Sequence, residues 1–593
     1  MSGFEVWVPA ASKVEVEAGG RRLPLQPMDG TAQEGWWELA DADESALDNA
    51  ADLDYAFRID GGPPRPDPRS RRQPAGVHGP SRLDRPEDFG WTDRDWRGRP
   101  LRGAVLYELH IGTFTTEGTF DAAVARLGHL VSLGVDFVEL MPVAAFNGRH
   151  GWGYDGADLW AVHEPYGGPE GLRRFVDACH ARGIGVLLDV VYNHLGPSGN
   201  YLAEFGPYFT DAHATPWGQA VNLDGPGSDG VRTFLVDNAL YWLRENHLDG
   251  LRLDAVHALV DTRAVHVLEQ LSAAVDELAA ATGRRLHLIA ESDRNDPRTV
   301  TPRAAGGLGV HAQWSDDFHH ALHAALTGER SGYYCDFGSL AAIAKTLTSG
   351  FFHDGGYSTY RGRCHGRPMD TAVLGADRFV VSLQTHDQVG NRAEGDRIGA
   401  SLDEGLRRVG AALLLTSPFT PQLFMGEEWG AGTPWQYFTD HPEPELAAAV
   451  RDGRRAEFAR TGWPPDRIPD PQAPETFAHS VLDWDEPART PHRELLAWYR
   501  SLIALRRTRP ELGDPDFSGV LVDYDEDERW IVIARGPVRV AANLGERPCT
   551  PRLDGSGGGG VGVGIGILLA SDPRIEVHDG RVALPGRSVA VLG

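Results

Sequence analysis

The stretch Leu251-Arg252-Leu253-Asp254-Ala255-Val256-His257 places two charged residues inside a short apolar segment. Its Leu and Val residues predict a buried strand, and side chains two apart on a strand point to the same side. Arg252 and Asp254 would therefore project together, and the guanidinium would keep the carboxylate ionised. Such a pair is either a structural ion pair or part of a functional site. Motifs elsewhere in the chain are needed to distinguish these two interpretations.

Outside this segment, apolar runs rich in β-branched residues alternate with helical patterns from about residue 100 onward. Strands that alternate with helices in this way predict a (β/α)8 barrel, a TIM barrel, with enlarged loops. A doubly wound sheet is the alternative, but it favours a Gly-rich phosphate loop after its first strand, where this chain has His110-Ile111-Gly112-Thr113-Phe114. The eight predicted strands cover residues 104–109, 137–141, 186–192, 251–254, 286–290, 309–314, 379–383 and 422–425.

Both ends of the chain have a different pattern, in which short strands are broken by Gly, Pro and Asp. This pattern is typical of antiparallel sheets. We therefore predict three domains in an α/β chain: an N-terminal immunoglobulin-like β-sandwich over residues 1–97, the barrel over 98–512, and a C-terminal β-sandwich over 513–593. The Gly-rich tract 555–566 interrupts the last domain and predicts a mobile loop or an irregular hairpin, with no function assigned to it.

The composition narrows the class of partner. The 593 residues include 84 acidic and 57 basic ones, a net charge of −27, which argues against a nucleic-acid or anionic-membrane partner. Four scattered cysteines show no metal-ligand spacing, so no disulfide framework, metal or other cofactor is predicted. The chain has no apolar run of membrane-spanning length and no evident signal peptide, so the predicted location is the cytoplasm.

Polar residues gather where four of the predicted strands end. In a TIM barrel, functional residues lie at the carboxyl ends of the strands and in the loops that follow them. One such cluster alone could be an ion pair or a helix cap, whereas four clusters at corresponding ends favour a catalytic site. The residues are Asp189, Asn193 and His194 at the third strand, Arg252, Asp254 and His257 at the fourth, Glu291 and Asp293 at the fifth, and His386, Asp387, Gln388 and Asn391 at the seventh.

The residue types in these clusters select a chemistry. The chain has no Ser or Cys in a nucleophile elbow and no His-Glu-x-x-His zinc motif, which leaves carboxylates with His and Arg donors. Glycoside cleavage needs one ionised and one protonated carboxyl group. Arg252 favours an ionised Asp254, and the apolar residues before Glu291 favour a raised pKa there. Adjacent strands lie about 4.8 Å apart, which suits the roughly 5–5.5 Å carboxyl spacing of retaining enzymes.

These clusters contain the motifs of a known family. Asp189-Val190-Val191-Tyr192-Asn193-His194, residues 250–257, Ile289-Ala290-Glu291-Ser292 and His386-Asp387 resemble the four signature regions of the α-amylase superfamily of retaining glycosidases. The resemblance implies that Asp254 is the nucleophile, Glu291 the general acid/base, and Asp387 the carboxylate that holds the distorted sugar.

Departures from the amylase pattern indicate a subfamily. True amylases usually have Lys-His after the nucleophile region, where this chain has His257-Ala258. A leading β-sandwich followed by Glu139-Leu140-Met141-Pro142-Val143 is shared by branching enzymes, isoamylases and maltooligosyltrehalose trehalohydrolases. The segments that look like the last of these families are 149–156, 196–201, 215–218, 250–257, 314–320 and 386–395.

The resemblance also implies a set of substrate-binding residues around the three carboxylates. Several of them would bind the sugar in the −1 subsite, and those of residues 316–320 would lie on the trehalose side. The set is Tyr154, Asp189, His194, Arg252, His257, Asp316, Asp317, Phe318, His319, His320, His386, Gln388 and Asn391.

That family hydrolyses the α-1,4 bond next to the trehalose end of maltooligosyltrehalose and releases trehalose, acting after a maltooligosyltrehalose synthase. The resemblance therefore implies this reaction, by double displacement, for the present chain. An α-1,4-glucan branching enzyme is the nearest alternative, and residues 316–320 argue against it. A non-catalytic glucan-binding protein is the other, and the three intact carboxylates argue against that.

Overall fold

A closed barrel of eight parallel strands forms the centre of the molecule. The computed structural model describes residues 4–28, 30, 34–41, 47, 52–459, 464, 467–553 and 565–593. The strands follow one another around the barrel in chain order and the last pairs with the first, which confirms the predicted TIM barrel. Numbered one to eight, they are Leu106–Leu109, Phe137–Leu140, Gly185–Val190, Gly250–Leu253, His287–Ala290, Ala312–Trp314, Phe379–Ser382 and Thr420–Phe424.

The interior of the barrel has an apolar layer and a charged layer. Residues two apart on a strand point to the same side. A strand can therefore place an apolar residue from its start and a polar residue from nearer its end in the barrel interior. The apolar layer includes Leu106, Phe137, Leu187, Ile289 and Val380. The same alternation places Glu108, Glu139 and Asp189 inside the barrel, nearer the loops that follow the strands. The charged groups therefore lie where a TIM barrel has its active site.

Helices surround the barrel and connect its strands. The predicted helix over residues 122–133 is interrupted at 125–126, and its second part ends at Gly134, whose φ of 97° lies in the left-handed region that favours glycine. No helix in the described ranges is long and apolar enough to cross a bilayer. The α-helices whose bounds lie within the described ranges are Ile111–Phe114, Phe120–Val124, Leu127–Leu133, Gly168–His180, Leu202–Phe205, Ser228–Glu245, Val267–Thr282, Asp316–Thr327, Leu340–Ser349, His386–Gly390, Glu404–Leu415, Pro444–Ala459, Pro474–His479 and His492–Thr508.

Within the described part of the N-terminal region, an antiparallel arrangement of six strands precedes the barrel, as predicted. Its strand Arg21–Pro27 pairs with Val14–Ala18 through its first half and with Trp36–Leu39 through its second. The strand therefore passes from one layer of the arrangement to the other, as strands of sandwiches do. The remaining strands are Glu5–Trp7, Asp54–Ile59 and Ser81–Arg82.

Among the described C-terminal residues, a five-stranded antiparallel sheet and one further strand pair follow the barrel, again as predicted. They pack against the barrel helix Glu404–Leu415, where Arg408 Nη1 donates a hydrogen bond of 3.1 Å to the Ser571 carbonyl. The Gly-rich tract 555–566 lies, except for its last two residues, outside the described residues. The strands are Val520–Asp525, Trp530–Arg535, Val538–Asn543, Ile567–Ala570 and Ser588–Leu592, with the pair Glu576–His578 and Arg581–Ala583.

Candidate active site

Arg252 lies at the centre of the site, fully buried on the fourth strand. Its guanidinium lies over the Trp314 ring, 4.2 Å from the ring centroid. Its Nη1 is 2.7 Å from Asp189 Oδ2 and 2.8 Å from Asp254 Oδ1. Its Nη2 is 3.1 Å from Glu291 Oε2. One cation therefore holds carboxyl groups from three consecutive strands, and the strand register explains this, because Asp189 pairs directly with Arg252.

Asp254 follows the fourth strand with both carboxylate oxygens engaged. Oδ1 contacts Arg252, and Oδ2 accepts a hydrogen bond of 2.7 Å from Asn193 Nδ2. The same amide donates to the backbone oxygen of Asp254 at 2.9 Å, which fixes the direction of the side chain. Two donors of this kind favour the ionised carboxylate. With 11% of its side chain exposed, Asp254 is within reach of a ligand above the barrel.

Glu291 directly follows the fifth strand. Its Oε2 accepts a hydrogen bond of 2.7 Å from the backbone N–H of Ala255, the residue after Asp254. Ala255 has a φ of 39°, in the left-handed region, and this turn aims its N–H at Glu291. Burial raises the pKa of Glu291 well above its ordinary value, and the charges of Asp254 and Asp387 add to this against the opposing effect of Arg252. Glu291 is therefore suited to hold a proton near neutral pH.

Tyr154 and His386 form one wall of the site. Their rings stack with centroids 5.1 Å apart, and Tyr154 Oη is 2.8 Å from His386 Nε2. Tyr154 donates a hydrogen bond of 2.6 Å to Asp189 Oδ2. Burial raises the pKa of Asp189 to about 6 against the effect of Arg252. Burial also opposes a charged His386, but the carboxylates of Asp387 and Glu108 outweigh it and raise the histidine pKa to about 9.

Asp387 is the most exposed of the three predicted catalytic carboxylates, with 37% of its side chain accessible. It lies in the first turn of the helix His386–Gly390. Its Oδ1 is 3.4 Å from His386 Nε2 and accepts a hydrogen bond of 3.2 Å from Asn391 Nδ2. Gln388 caps this short helix, because its Oε1 accepts hydrogen bonds from the backbone and hydroxyl of Thr385. Asn391 thus contacts a site carboxylate directly, whereas Gln388 fixes the helix that carries it.

His194 contacts Asn193, the residue that orients Asp254. Its Nε2 is 3.0 Å from the carbonyl oxygen of Tyr154 and its Nδ1 is 2.5 Å from Asn193 Oδ1. Trp217 stacks on the His194 ring at 4.8 Å and remains 49% exposed. An exposed indole stacked on His194 is a suitable surface for a sugar ring.

The predicted segment 316–320 divides between the site and the core. Asp316 is partly exposed, and burial followed by the charges of Asp317 and Asp387 raises its pKa to about 7. His320 stacks on Tyr333 with centroids 4.7 Å apart. The other three side chains are buried and contact the protein: Asp317 accepts from Asn295 and from the backbone of Phe352 and His353, Phe318 packs on Phe419, and His319 Nε2 lies 3.1 Å from Tyr334 Oη.

His257 lies beside the site rather than among the carboxylates held by Arg252. Its Nδ1 is 3.8 Å from Asp293 Oδ1, and 30% of its side chain is exposed. Asp293 in turn pairs with Arg361, whose Nη1 is 2.9 Å from Asp293 Oδ2. Within the described residues, no group of three or more His, Cys, Asp or Glu side chains is placed to hold a metal ion.

Three contacts in the site were not predicted from the sequence. Asn193 orients Asp254, Trp314 lies against Arg252, and Glu108 pairs with His386. Asn193 belongs to the motif of residues 189–194 and precedes His194, so the sequence did indicate that it lies near the site. Glu108 gave a weaker signal, as a single acidic residue within the apolar strand Leu106–Leu109. Trp314 begins the family-like segment 314–320, but its contact with Arg252 was not predicted, because an aromatic residue in a barrel strand is ordinarily a core residue.

A closed barrel with an Asp and a Glu held by one Arg, beside a His-Asp pair, is the arrangement of the α-amylase class of glycoside hydrolases. A family model, "Alpha amylase, catalytic domain", matches residues 85–213, and a domain of unknown function matches residues 515–591. A crystal structure described as an α-amylase of Salmonella typhimurium has a TM-score of 0.87 and 37% identity, covering 100% of this chain and 97% of that one.

Curated relatives specify the class further. Two proteins named malto-oligosyltrehalose trehalohydrolase are 54% identical (Rhizobium sp. strain M-11; 99% of this chain, 97% of the relative) and 58% identical (Arthrobacter ramosus; 92% and 93%). A 1,4-alpha-glucan branching enzyme of Corynebacterium jeikeium is 28% identical and covers 73% of this chain and 61% of its own. The chain belongs to the malto-oligosyltrehalose trehalohydrolase family of α-amylase-type glycoside hydrolases.

Proposed function

We propose that the protein is a retaining glycoside hydrolase that cleaves the α-1,4 bond next to the trehalose end of maltooligosyltrehalose and releases trehalose. The observation that carries this proposal is that two carboxyl groups contact one guanidinium but are suited to different protonation states. Asp254 is held by Arg252 and Asn193 as an ionised nucleophile. Glu291 has a raised pKa and can give up a proton. Retaining glycosidases need this pairing, and family membership supports the choice of substrate.

The first step forms a covalent intermediate. Asp254 attacks the anomeric carbon of the −1 glucose while the bond to the glycosidic oxygen breaks, and Glu291 transfers its proton to that oxygen, so trehalose leaves as an alcohol. In the second step the Glu291 carboxylate takes a proton from water, and the water oxygen attacks the same carbon and displaces Asp254. Two inversions leave the α configuration unchanged, and Glu291 is protonated again at the end.

The surrounding residues are proposed to bind the substrate. Asp387 is open to hydroxyl groups of the −1 sugar, and Tyr154 offers its ring as a stacking surface, with the His386 and Arg252 donors nearby. We place the trehalose unit on the side of Asp316 and His320, whose side chains reach the surface of the site. Asp317, Phe318 and His319 would act there through the protein, since their contacts lie in the core.

The proposal extends to the setting of the reaction. The substrate ends in a non-reducing trehalose unit, so a maltooligosyltrehalose synthase is proposed to act before this enzyme. We propose a cytoplasmic location for the enzyme.

Digestion of maltotriosyltrehalose tests the proposal, with trehalose and maltotriose as the expected products. Product analysis by chromatography distinguishes the alternatives, because a branching enzyme would leave new α-1,6 linkages in amylose and a glucan-binding protein would leave the substrate intact. Release of only glucose or maltose would also contradict the proposal. Nuclear magnetic resonance of the freshly released maltotriose should show the α anomer before mutarotation, as retention requires.

A further inference from the structure

Glu108 lies inside the barrel with both carboxylate oxygens directed at one residue of the site. Its side chain is 1% exposed. Oε1 is 2.6 Å from His386 Nδ1, and Oε2 accepts a hydrogen bond of 3.0 Å from the His386 backbone N–H. The carboxylate therefore fixes the ring of His386 and also the backbone from which Asp387 follows. A buried carboxylate that accepts two such hydrogen bonds is a rigid support.

A second carboxyl group, that of Glu139 on the second strand, lies next to Glu108 and favours its own neutral form. Glu139 pairs directly with Glu108 across the two strands, and both side chains point into the barrel. Burial, followed by the charge of Glu108, raises the pKa of Glu139 well above its ordinary value. Two close carboxyl groups in a dry site share one negative charge. The contact of Glu108 with the His386 ring favours the charge on this member of the pair.

The hydrogen-bond directions beyond His386 follow from this charge. With Nδ1–H donated to Glu108, the cationic ring has Nε2–H to donate, and Tyr154 Oη lies 2.8 Å away. Tyr154 can accept it because its own proton goes to Asp189 Oδ2 at 2.6 Å. Asp189 then contacts Arg252 Nη1 at 2.7 Å. A chain of hydrogen bonds therefore links Glu108 to the guanidinium that holds Asp254.

We infer that Glu108 is a positioning residue of this glycosidase, which holds His386 as a cation in one orientation with Nε2–H facing Tyr154 and the sugar position beside Asp387. The charge balance around the ring supports this. Ionisable groups from several elements act on it: Glu108, Glu139, Asp189 and Arg252 on the first four strands, His110 and Tyr154 in the following loops, and Asp387 on its own helix. Of the anions, Glu108 and Asp387 contact the ring.

The substitution Glu108→Gln tests the inference, because it removes the charge and keeps a side chain of the same shape. The readout is the titration of ¹³C-labelled histidine Cε1–H signals by nuclear magnetic resonance, with no substrate present. Among the 23 histidines, the His386 signal is the one missing from a His386→Gln sample. The midpoint is expected near 9 in the unmodified protein and at least about one pH unit lower in Glu108→Gln, a tenfold loss of proton affinity.

Glu139→Gln is the matched control, because that carboxyl group lies on the adjacent strand opposite Glu108, and burial and the charge of Glu108 favour its neutral form. It should leave the His386 midpoint unchanged. An unchanged midpoint in Glu108→Gln would overturn the inference, whatever happens to thermal stability. If Glu108→Gln does not fold, Glu108→Asp keeps the charge and should keep the midpoint well above the ordinary histidine value of about 6.5. A midpoint below that value in Glu108→Asp would overturn it as well.

The kinetic consequence rests on the proposed function, whereas the titration does not, so the two can fail separately. His386 faces the −1 sugar, where charge develops in the transition state. Glu108→Gln should therefore lower kcat by about ten- to a hundredfold with little change in KM. A rise in KM with unchanged kcat would contradict the assigned role even if the proposed hydrolysis is correct.

Discussion

Arg252 Nη1 lies 2.8 Å from Asp254 Oδ1, and the guanidinium has no exposed surface. This contact is not a simple structural ion pair. Arg252 also holds Asp189 and Glu291, so it would stay paired without Asp254, whereas Asp254 is partly open to a ligand. The carboxylate therefore depends on the arginine more than the arginine depends on the carboxylate, and the two residues should respond differently to substitution.

The substitution Asp254→Ala should abolish hydrolysis and leave the protein folded. Loss of the nucleophile should reduce kcat by more than about 10³-fold. Because Arg252 keeps two carboxyl partners, the free energy of unfolding should change by less than about 2 kcal/mol. Initial rates on maltotriosyltrehalose and denaturant unfolding measure the two quantities. Asp237→Ala, which breaks the Arg69–Asp237 pair of 2.9 Å, is the control and should stay active. Loss of the folded state in Asp254→Ala would indicate a structural ion pair instead.

The substitution Arg252→Met, unlike Asp254→Ala, should cause a large loss of stability. It removes the shared partner of three buried or partly buried carboxyl groups, which should cost about 3–5 kcal/mol at neutral pH. Without the cation, the folded-state pKa values of Asp189 and Glu291, which burial already raises above their unfolded values, rise further. The loss should therefore be smaller at acidic pH, where they are protonated in both states, and should grow as the pH rises. Denaturant unfolding across this range measures it, and a loss that does not depend on pH would contradict this account.

Much of the barrel could be predicted from the sequence, because each barrel strand is a local apolar run with a helical pattern behind it. The boundaries were less predictable. The sixth strand starts only at Ala312 instead of 309, since Gly309 has a φ of 71° that a strand does not adopt. Likewise, Asp254 lies one residue beyond the fourth strand, although its contact with Arg252 was predicted from spacing within a strand.

The site was predictable where contacts are local or follow strand order, and not where they depend on closure of the barrel. Arg252 and Asp254 are two residues apart, and Glu291 lies on the next strand. Glu108 and His386 are separated by 278 residues and meet only because the first and seventh strands lie on either side of the eighth. The core contacts of Asp317 depend on the path of a loop around residues 352–353, which no local pattern reveals.

The substitution Glu291→Ala should separate the two chemical steps. Because Glu291 has to be protonated in the first step and has a raised pKa, hydrolysis by the unmodified enzyme should persist below that pKa and decline as the pH rises through it. Glu291→Ala should lose about 10²–10⁴-fold in kcat on maltotriosyltrehalose. With a maltosyl fluoride, whose leaving group needs no proton, added azide should restore turnover and give an α-glycosyl azide. If azide rescues nothing, Glu291 is not the acid/base.

Adjacent aspartates at the start of the helix Asp316–Thr327 should have different roles. Asp317 Oδ2 accepts hydrogen bonds of 2.8 Å from Asn295 Nδ2, 2.8 Å from the Phe352 N–H and 2.9 Å from the His353 N–H. Asp317→Ala would leave these buried donors unpaired and should destabilise the protein by about 3 kcal/mol. Asp316→Asn is the matched change at a partly exposed position. It should leave the free energy of unfolding within about 1 kcal/mol and raise KM for maltotriosyltrehalose about tenfold. If instead Asp317→Ala changes KM alone and Asp316→Asn destabilises the fold, the assignment of the two residues must be exchanged.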